Sequence, residues 1–507
     1  MLNKSCEYLI RHGAIPRGDS DISGIGVILA FLISAYITLG VVVVAYLGGL
    51  VDGSLLGRID REVHHITPYS SDPSLLRETR KRRKRLHGCV RDVAVALSDQ
   101  QIVTGIAIMS AGFVGLRSQS ISVYHYQTVL YLAWMSSSVH LSVVTLLSTY
   151  LREHRGIMIW RLCGMLTLFA MLVIGVVPTI SNDWGILWWN SMLEGRTGWA
   201  IPASCFWGKL WGDGVSPDAP LGFIILIMSY ISKMGAIFDC THKSYHNYIR
   251  DPLEQSLFAT LRAIAMRYDS RGRTRLWLWV FRLILGIALP LLTILEVAAS
   301  FAASIWLSVA NLAYGTMQIV IPRRQMLPLV VLGSNENAWG FGQLVPLILL
   351  IQPLGVVFEH IWASEATDDR VQSTYSHTER ASHASHTELH QAVISNRKLP
   401  LLQLMVDPEF NQILSYPRGR SLLWETLLSS RLFSMLVFLF QLALAGICAT
   451  VFYLDARTIG NIRSNNWQLI ICAMSGSLGF AILLTIVTAP FSIIGRRLEE
   501  TNVPIPL

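Results

Sequence analysis

Asp99, His140, Lys233, Arg282 and Glu296 are ionisable side chains inside blocks that are otherwise apolar. Polar groups are costly in hydrocarbon, so each is a functional candidate by default; adhesion between helices is the competing explanation. Asp99 belongs to the run Ser98-Asp99-Gln100-Gln101, followed by Thr104, a polar cluster without parallel in the other apolar blocks. Its carboxyl suits a proton relay, a cation ligand or a general acid/base. The structural alternative is a carboxylate near the interface, solvated or paired with Arg91. Glu296 has no neighbour of opposite charge at helical spacing. It either pairs across a bundle or stays protonated, and with Asp99 it is a catalytic candidate. Lys233 and Arg282 are expected to snorkel toward the nearer membrane face.

The binding candidates are Gln100, Gln101, Tyr131, His140 and Gln343. Tyr124, Thr128, Tyr131, Met135, Ser138, Ser142, Thr145 and Thr149 recur by threes and fours, so one helical face carries them. Such a face should turn to the bundle interior or a wet cavity, with His140 near mid-span. The face of Gln100 and Thr104 continues through Ala107, Ala111 and Gly115, a small-xxx-small ridge for close packing. Glu336-Asn337-Ala338-Trp339-Gly340-Phe341-Gly342-Gln343 precedes Pro346, which reads as a tight corner or a site-lining segment.

The elements that position these residues are membrane spans. Of 507 residues, 52% are hydrophobic and 15% charged, against about 25% charged in soluble domains. The apolar residues fall in blocks long enough to cross a bilayer as helices. The reading is an all-α integral membrane bundle of about nine spans: 24–50, 93–116, 121–151, 157–180, 221–238, 276–321, 341–358, 433–453 and 469–494. The block 276–321 reads as one long kinked helix, interrupted by Pro290 and Glu296; as two spans it would make the total ten. The arginines and lysines from Arg77 to Arg91 place the loop 51–92 in the cytosol, with 239–275 on the same side. The N-terminal segment 1–23 and the Trp-rich loop 181–218 are then outside, and the C-terminus inside. In the loop 239–275, Asp251-Pro252-Leu253-Glu254 starts a helix. Its residues Leu253, Leu257, Leu261, Ile264 and Tyr268 form an amphipathic face for the membrane surface.

The organisation is thus an outer segment 1–23, a first bundle 24–362, a His/Ser-rich cytosolic linker with an amphipathic segment at 363–432, and two last spans with a tail at 433–507. In the linker, Ser376-His377-Thr378-Glu379 repeats as Ser385-His386-Thr387-Glu388, and its histidines read as solvated. The net charge of +8 sits beside apolar blocks, which points to lipid headgroups and not to nucleic acid. The seven cysteines have no metal-type spacing, so neither a metal nor a cofactor is expected. Cys6 and Cys205 share the outer side, where a disulfide is possible chemistry. Asn3-Lys4-Ser5 is a glycosylation sequon. Tryptophans 184, 188, 189, 199, 207 and 211 suit the membrane interface or an aromatic lid. There is no Walker A loop, GxSxG, HExxH or aspartate-rich DDxxD motif, and no clear inverted repeat.

The run LSDQQIVTGIA from Leu97 to Ala107 resembles a group of largely uncharacterised multi-spanning proteins of filamentous fungi. So do Tyr124-His125, Tyr131-Leu132-Ala133-Trp134 with Ser136, His140-Leu141, and Trp339-Gly340-Phe341-Gly342-Gln343 before Pro346-Leu347. The resemblance runs from the second span to the one after Trp339. Some members sit beside secondary-metabolite genes, which implies a membrane-bound role there but carries over no activity. Three functions follow as expectations: a channel or transporter for a small molecule or ion; a membrane-embedded cyclase or isomerase acting on a lipophilic intermediate; and a sensor or scaffold. The partners implied are the lipid bilayer and a small lipophilic molecule or ion.

Overall fold

The computed structural model describes residues 4–52, 76–181, 196–209, 218–238, 250–270, 300–330, 339–353 and 355–359, with shorter pieces between them. The linker, the last two spans, Asn3, Arg282 and Glu296 lie outside the described residues. The described chain is all-α. Its helices are α1 Lys4–His12, α2 Ser20–Ser23, α3 Ile25–Leu47, α4 Leu76–Arg117, α5 Val123–Leu146, α6 Ser148–Glu153, α7 Arg155–Val176, α8 Asp218–Ile237, α9 Asp251–Ser270, α10 Phe301–Val330 and α11 Phe341–Leu349. Among the described residues, five stretches are long and apolar enough to cross a membrane: Ser20–Leu47, Leu86–Arg117, Val123–Leu146, Arg155–Ile180 and Phe301–Arg324.

α5 is the axis of the bundle. Every residue from Val123 to Thr145 is buried, and α3, α4, α7, α8 and α10 all pack on it. Hydropathy alone would not choose this helix for the centre, because lipid and protein interiors are equally apolar. Its small and hydroxylated side chains explain the choice: they let neighbours approach and offer them hydrogen bonds. α4 enters it through a tight hairpin with Gln119 in the left-handed region at φ 59°, and Ser122 caps the start of α5 by accepting from the His125 amide at 3.3 Å.

The tie at the hairpin end is built from distant pieces. Cys6 of α1 and Cys205 form a disulfide across 199 residues of sequence. Thr197 and Ala14 exchange backbone hydrogen bonds at 2.9 and 3.1 Å, and the Val123 amide donates to Ile201 at 2.8 Å. Trp184 meets Tyr126 and Phe206 edge to face. This disulfide end holds the starts of α3 and α5. The opposite, basic end holds the end of α3 and the arginine-rich start of α4.

Three expectations about faces and boundaries are corrected. The packing ridge of α4 is not Ala107 and Ala111, which are exposed, but Gly105, Met109 and Gly112, which are buried. A Cβ at Gly112 would stand 2.8 Å from Val129 Cγ1, and one at Gly105 would stand 3.1 Å from Ser136 and Leu168. The buried face of α9 is Glu254, Phe258, Leu261, Ile264 and Ala265, while Leu253 is exposed. The block 276–321 is not one continuous helix. The chain bends at Ser300, and α10 starts afresh at Phe301. Its start is fixed by Asp60, which accepts from the Phe301 amide at 2.8 Å and the Ala302 amide at 3.1 Å. A carboxylate at a helix N-terminus satisfies donors that have no partner within the helix.

Candidate functional site

The polar side chains of α5 meet those of α8 and α10 along a seam running from one end of the bundle to the other. At the basic end stands Asp60, fully buried. Besides capping α10 it accepts from Tyr46 Oη at 3.0 Å and the Gly57 amide at 2.8 Å. Next comes Lys233 of α8, only 2% exposed. Its Nζ donates to Ser142 Oγ of α5 at 3.0 Å and to Ser308 Oγ of α10 at 2.5 Å. Each serine in turn donates to the carbonyl four residues back, at 2.8 Å, Ser142 to Ser138 and Ser308 to Ser304. Those hydroxyls therefore present lone pairs, not protons, to the lysine.

One turn further, Asn311 Nδ2 donates to Ser229 Oγ at 2.9 Å, and Ser137 and Tyr230 join α5 to α8. Tyr131 and Tyr314 follow, hydroxyls 3.4 Å apart and rings edge to face. Then Gln127 Nε2 donates to Gln318 Oε1 at 3.0 Å, while Trp184 Nε1 donates to Gln127 Oε1 at 2.7 Å. At the disulfide end Arg323 donates to the Ser23 carbonyl and reaches Tyr124 Oη at 3.5 Å. From Phe301 to Arg323, α10 rises about 33 Å, close to the roughly 30 Å of a bilayer's hydrocarbon.

Sequence-predicted residues fall into three places. Tyr131 is on the seam, and its stripe faces α10 through Ser142 and Met135, the latter against Gly315. Asp99, Gln100, Gln101 and His140 lie on the other side of α5. There Asp99 pairs with Arg161 of α7 at 2.7 Å, not with Arg91, which holds Asp92 at 2.8 Å. The pair is lopsided: Arg161 is 2% exposed and Asp99 47%. Ser98 Oγ lies 2.6 Å from His140 Nδ1, and His140 Nε2 has no hydrogen-bond partner among the described residues. Gln101 donates to Ser34 of α3, and the Gln100 side-chain oxygen is buried without a hydrogen-bond partner among the described residues. Gln343 is apart from Asp99 and Tyr131, fully buried at the start of α3, next to the disulfide end of the seam, where its Oε1 accepts from the Gly26 amide at 3.0 Å. Gly24 is as close: a Cβ there would stand 2.5 Å from the Gln343 amide.

Lys233 does not snorkel. Two hydroxyls from two other helices hold it in the core. Arg161, Asp60, Ser308 and Asn311 were not singled out in the sequence. Arg161 had a usable signal, a lone arginine inside an apolar block. Asp60 had none, since it sits in an ordinary polar loop.

Fold and seam define a helical bundle with membrane-length helices assembled around a polar core. The chain is 35% identical over 129 residues to a protein of Elsinoe fawcettii named elsinochromes biosynthesis cluster protein HP3, a match covering 25% of this chain and 47% of that one. It is 42% identical over 62 residues to the elsinochromes biosynthesis cluster protein HP2 of the same fungus, covering 12% of this chain and 16% of that one. The chain thus spans about half the length of the first of these curated relatives and less of the second. No family model matches it, and no solved structure matches it.

Proposed function

We propose that this chain is a multi-spanning membrane protein that provides a path across the bilayer for a small molecule or ion, in the setting of fungal secondary metabolism. The observation that carries the reading is the α5–α10 seam. It matches the hydrocarbon thickness in length, and hydrogen-bonding side chains line it at every turn. A bundle held only by packing has no use for a buried lysine in its core, since an apolar residue of similar size would cost less. The relatives named for a biosynthetic cluster support the metabolic setting. The reading takes nine spans, the N-terminus and the disulfide end outside or lumenal, and the basic end in the cytosol, as the arginine-rich start of α4 argues.

The test is permeation into proteoliposomes of the full chain, followed by light scattering with a panel of small neutral and charged solutes. Protein-dependent permeation is the expected result. Vesicles as tight as protein-free ones, with the protein folded and its disulfide intact, would sink the path and favour a scaffold.

A second reading, an enzyme embedded in the membrane, is favoured by one contact. Lys233 Nζ lies 3.0 Å from Ser142 Oγ, the reach of a base to a hydroxyl nucleophile.

A further inference from the structure

Among the described residues the seam carries Asp60 at its basic end and two cations, Lys233 and Arg323. Lys233 sits about a third of the way along from the basic end, held by neutral hydroxyls from α5 and α10, and among the described residues no carboxylate lies against it. Arg323 marks the disulfide end. Arg152 and Arg155 flank the junction of α6 and α7 at the basic end. The carboxylates near the bundle are committed elsewhere. Asp60 spends both oxygens on four donors: the Phe301, Ala302 and Gly57 amides and the Tyr46 hydroxyl. Asp99 stands on the opposite side of α5 against Arg161. The remaining seam groups are hydroxyls and amides, which can donate to an anion as readily as they accept from a cation.

We propose that the seam conducts small anions, such as halide or a small carboxylate, and that Lys233, Ser142 and Ser308 form the site where the anion meets its positive charge. The inference rests on the reading of the seam as a path and names its substrate class. The physical basis is that lysine or arginine in a low-dielectric passage selects for anions. The field of a single buried charge is little screened there and raises the local concentration of counter-ions. An arriving anion would take N–H bonds from the Lys233 ammonium in place of the two serine oxygens. Both serines could then turn their hydroxyl protons from the Ser138 and Ser304 carbonyls toward the anion. The same three side chains thus serve the empty and the occupied state.

The experiment compares uptake of radiolabelled chloride, acetate and rubidium ions into proteoliposomes of the full chain. Chloride or acetate should enter faster than rubidium by about tenfold or more. Lys233→Met should bring anion uptake down to the rate of protein-free vesicles. Lys233→Arg keeps the charge and should retain part of it, and Ser308→Ala should leave an intermediate rate in a folded bundle. Rubidium uptake equal to or above that of the anions overturns the anion assignment and leaves the path standing. Full anion uptake in a folded Lys233→Met protein also overturns it. Uptake of none of the three ions, together with no permeation of neutral solutes, overturns the path itself.

Discussion

The two sides of α5 are built on different principles. Toward α4 and α7 the contact is mainly steric, with hydrogen bonds between Ser98 and His140 and between Tyr126 and Gly175 across it. A Cβ at Gly105, Gly112, Gly164 or Gly175 would stand within 3.1 Å of side-chain atoms on a neighbouring helix. Toward α8 and α10 the contact is made by hydrogen bonds between side chains, from Lys233 to Gln318. Between helices in lipid there is no hydrophobic driving force, so close packing and interhelical hydrogen bonds are the available adhesives. Relying mainly on one on each side separates the tasks. The steric side fixes the geometry, and the polar side is left free to exchange partners.

Substitutions can break this comparison or sharpen it. The largest loss should come from Asp60→Ala, where the polar side meets its anchor. That change strands the Tyr46 hydroxyl and two α10 amides in buried surroundings, at a cost of about 3 kcal/mol or more, measured by thermal unfolding in detergent. On the steric side, Gly112→Leu should cost about 1–3 kcal/mol through overpacking. Val129 is β-branched and cannot swing clear of the new side chain. A Gly112→Leu protein as stable as the parent would end the claim that this side is set by shape. Tyr126→Phe removes the bond from its hydroxyl to the Gly175 carbonyl, 3.0 Å long, and should cost about 1 kcal/mol. Lys233→Met should change stability least, within about 1 kcal/mol, because replacing a buried charge by an apolar side chain is often neutral or favourable. If it unfolds the protein as readily as Gly112→Leu, the polar side is structural and the contrast collapses.

Much of the fold was legible because spans are long and their signal is coarse. Helices stand at the blocks read as spans one to five, although span two extends as α4 well into the basic loop, and the capping signal at Asp251 marks the start of α9. Faces were less legible. In α4 the buried stripe is turned one or two residues from the one expected; in α9 the buried face includes Leu261 and Ile264 of the expected face but not Leu253. Successive residues differ by 100° around a helix, so a stripe of small or apolar residues several wide fixes direction poorly when lipid tolerates the same residues. Lys233 shows a further limit. Snorkelling and burial demand the same sequence, and only the serines brought to it by α5 and α10 decide between them. Asp60 acts on Phe301 across 241 residues, a pairing that no local pattern announces.

The full burial of α5 also bears on how the chain enters its membrane. As a span it is only modestly apolar, with a mean hydropathy of 1.5 and 94% of its window enclosed by protein in the finished bundle. Leaving the translocation channel alone, it would expose His140, Gln127 and a series of serines to lipid, at a price that insertion thermodynamics makes steep for polar side chains. α4, which precedes it through the five-residue turn 118–122, shields one of its sides at once; α8 and α10 are synthesised much later. The central helix is therefore the one most fully enclosed by its neighbours in the finished bundle, and its polar side chains gain their partners on α8 and α10 only after those helices are made.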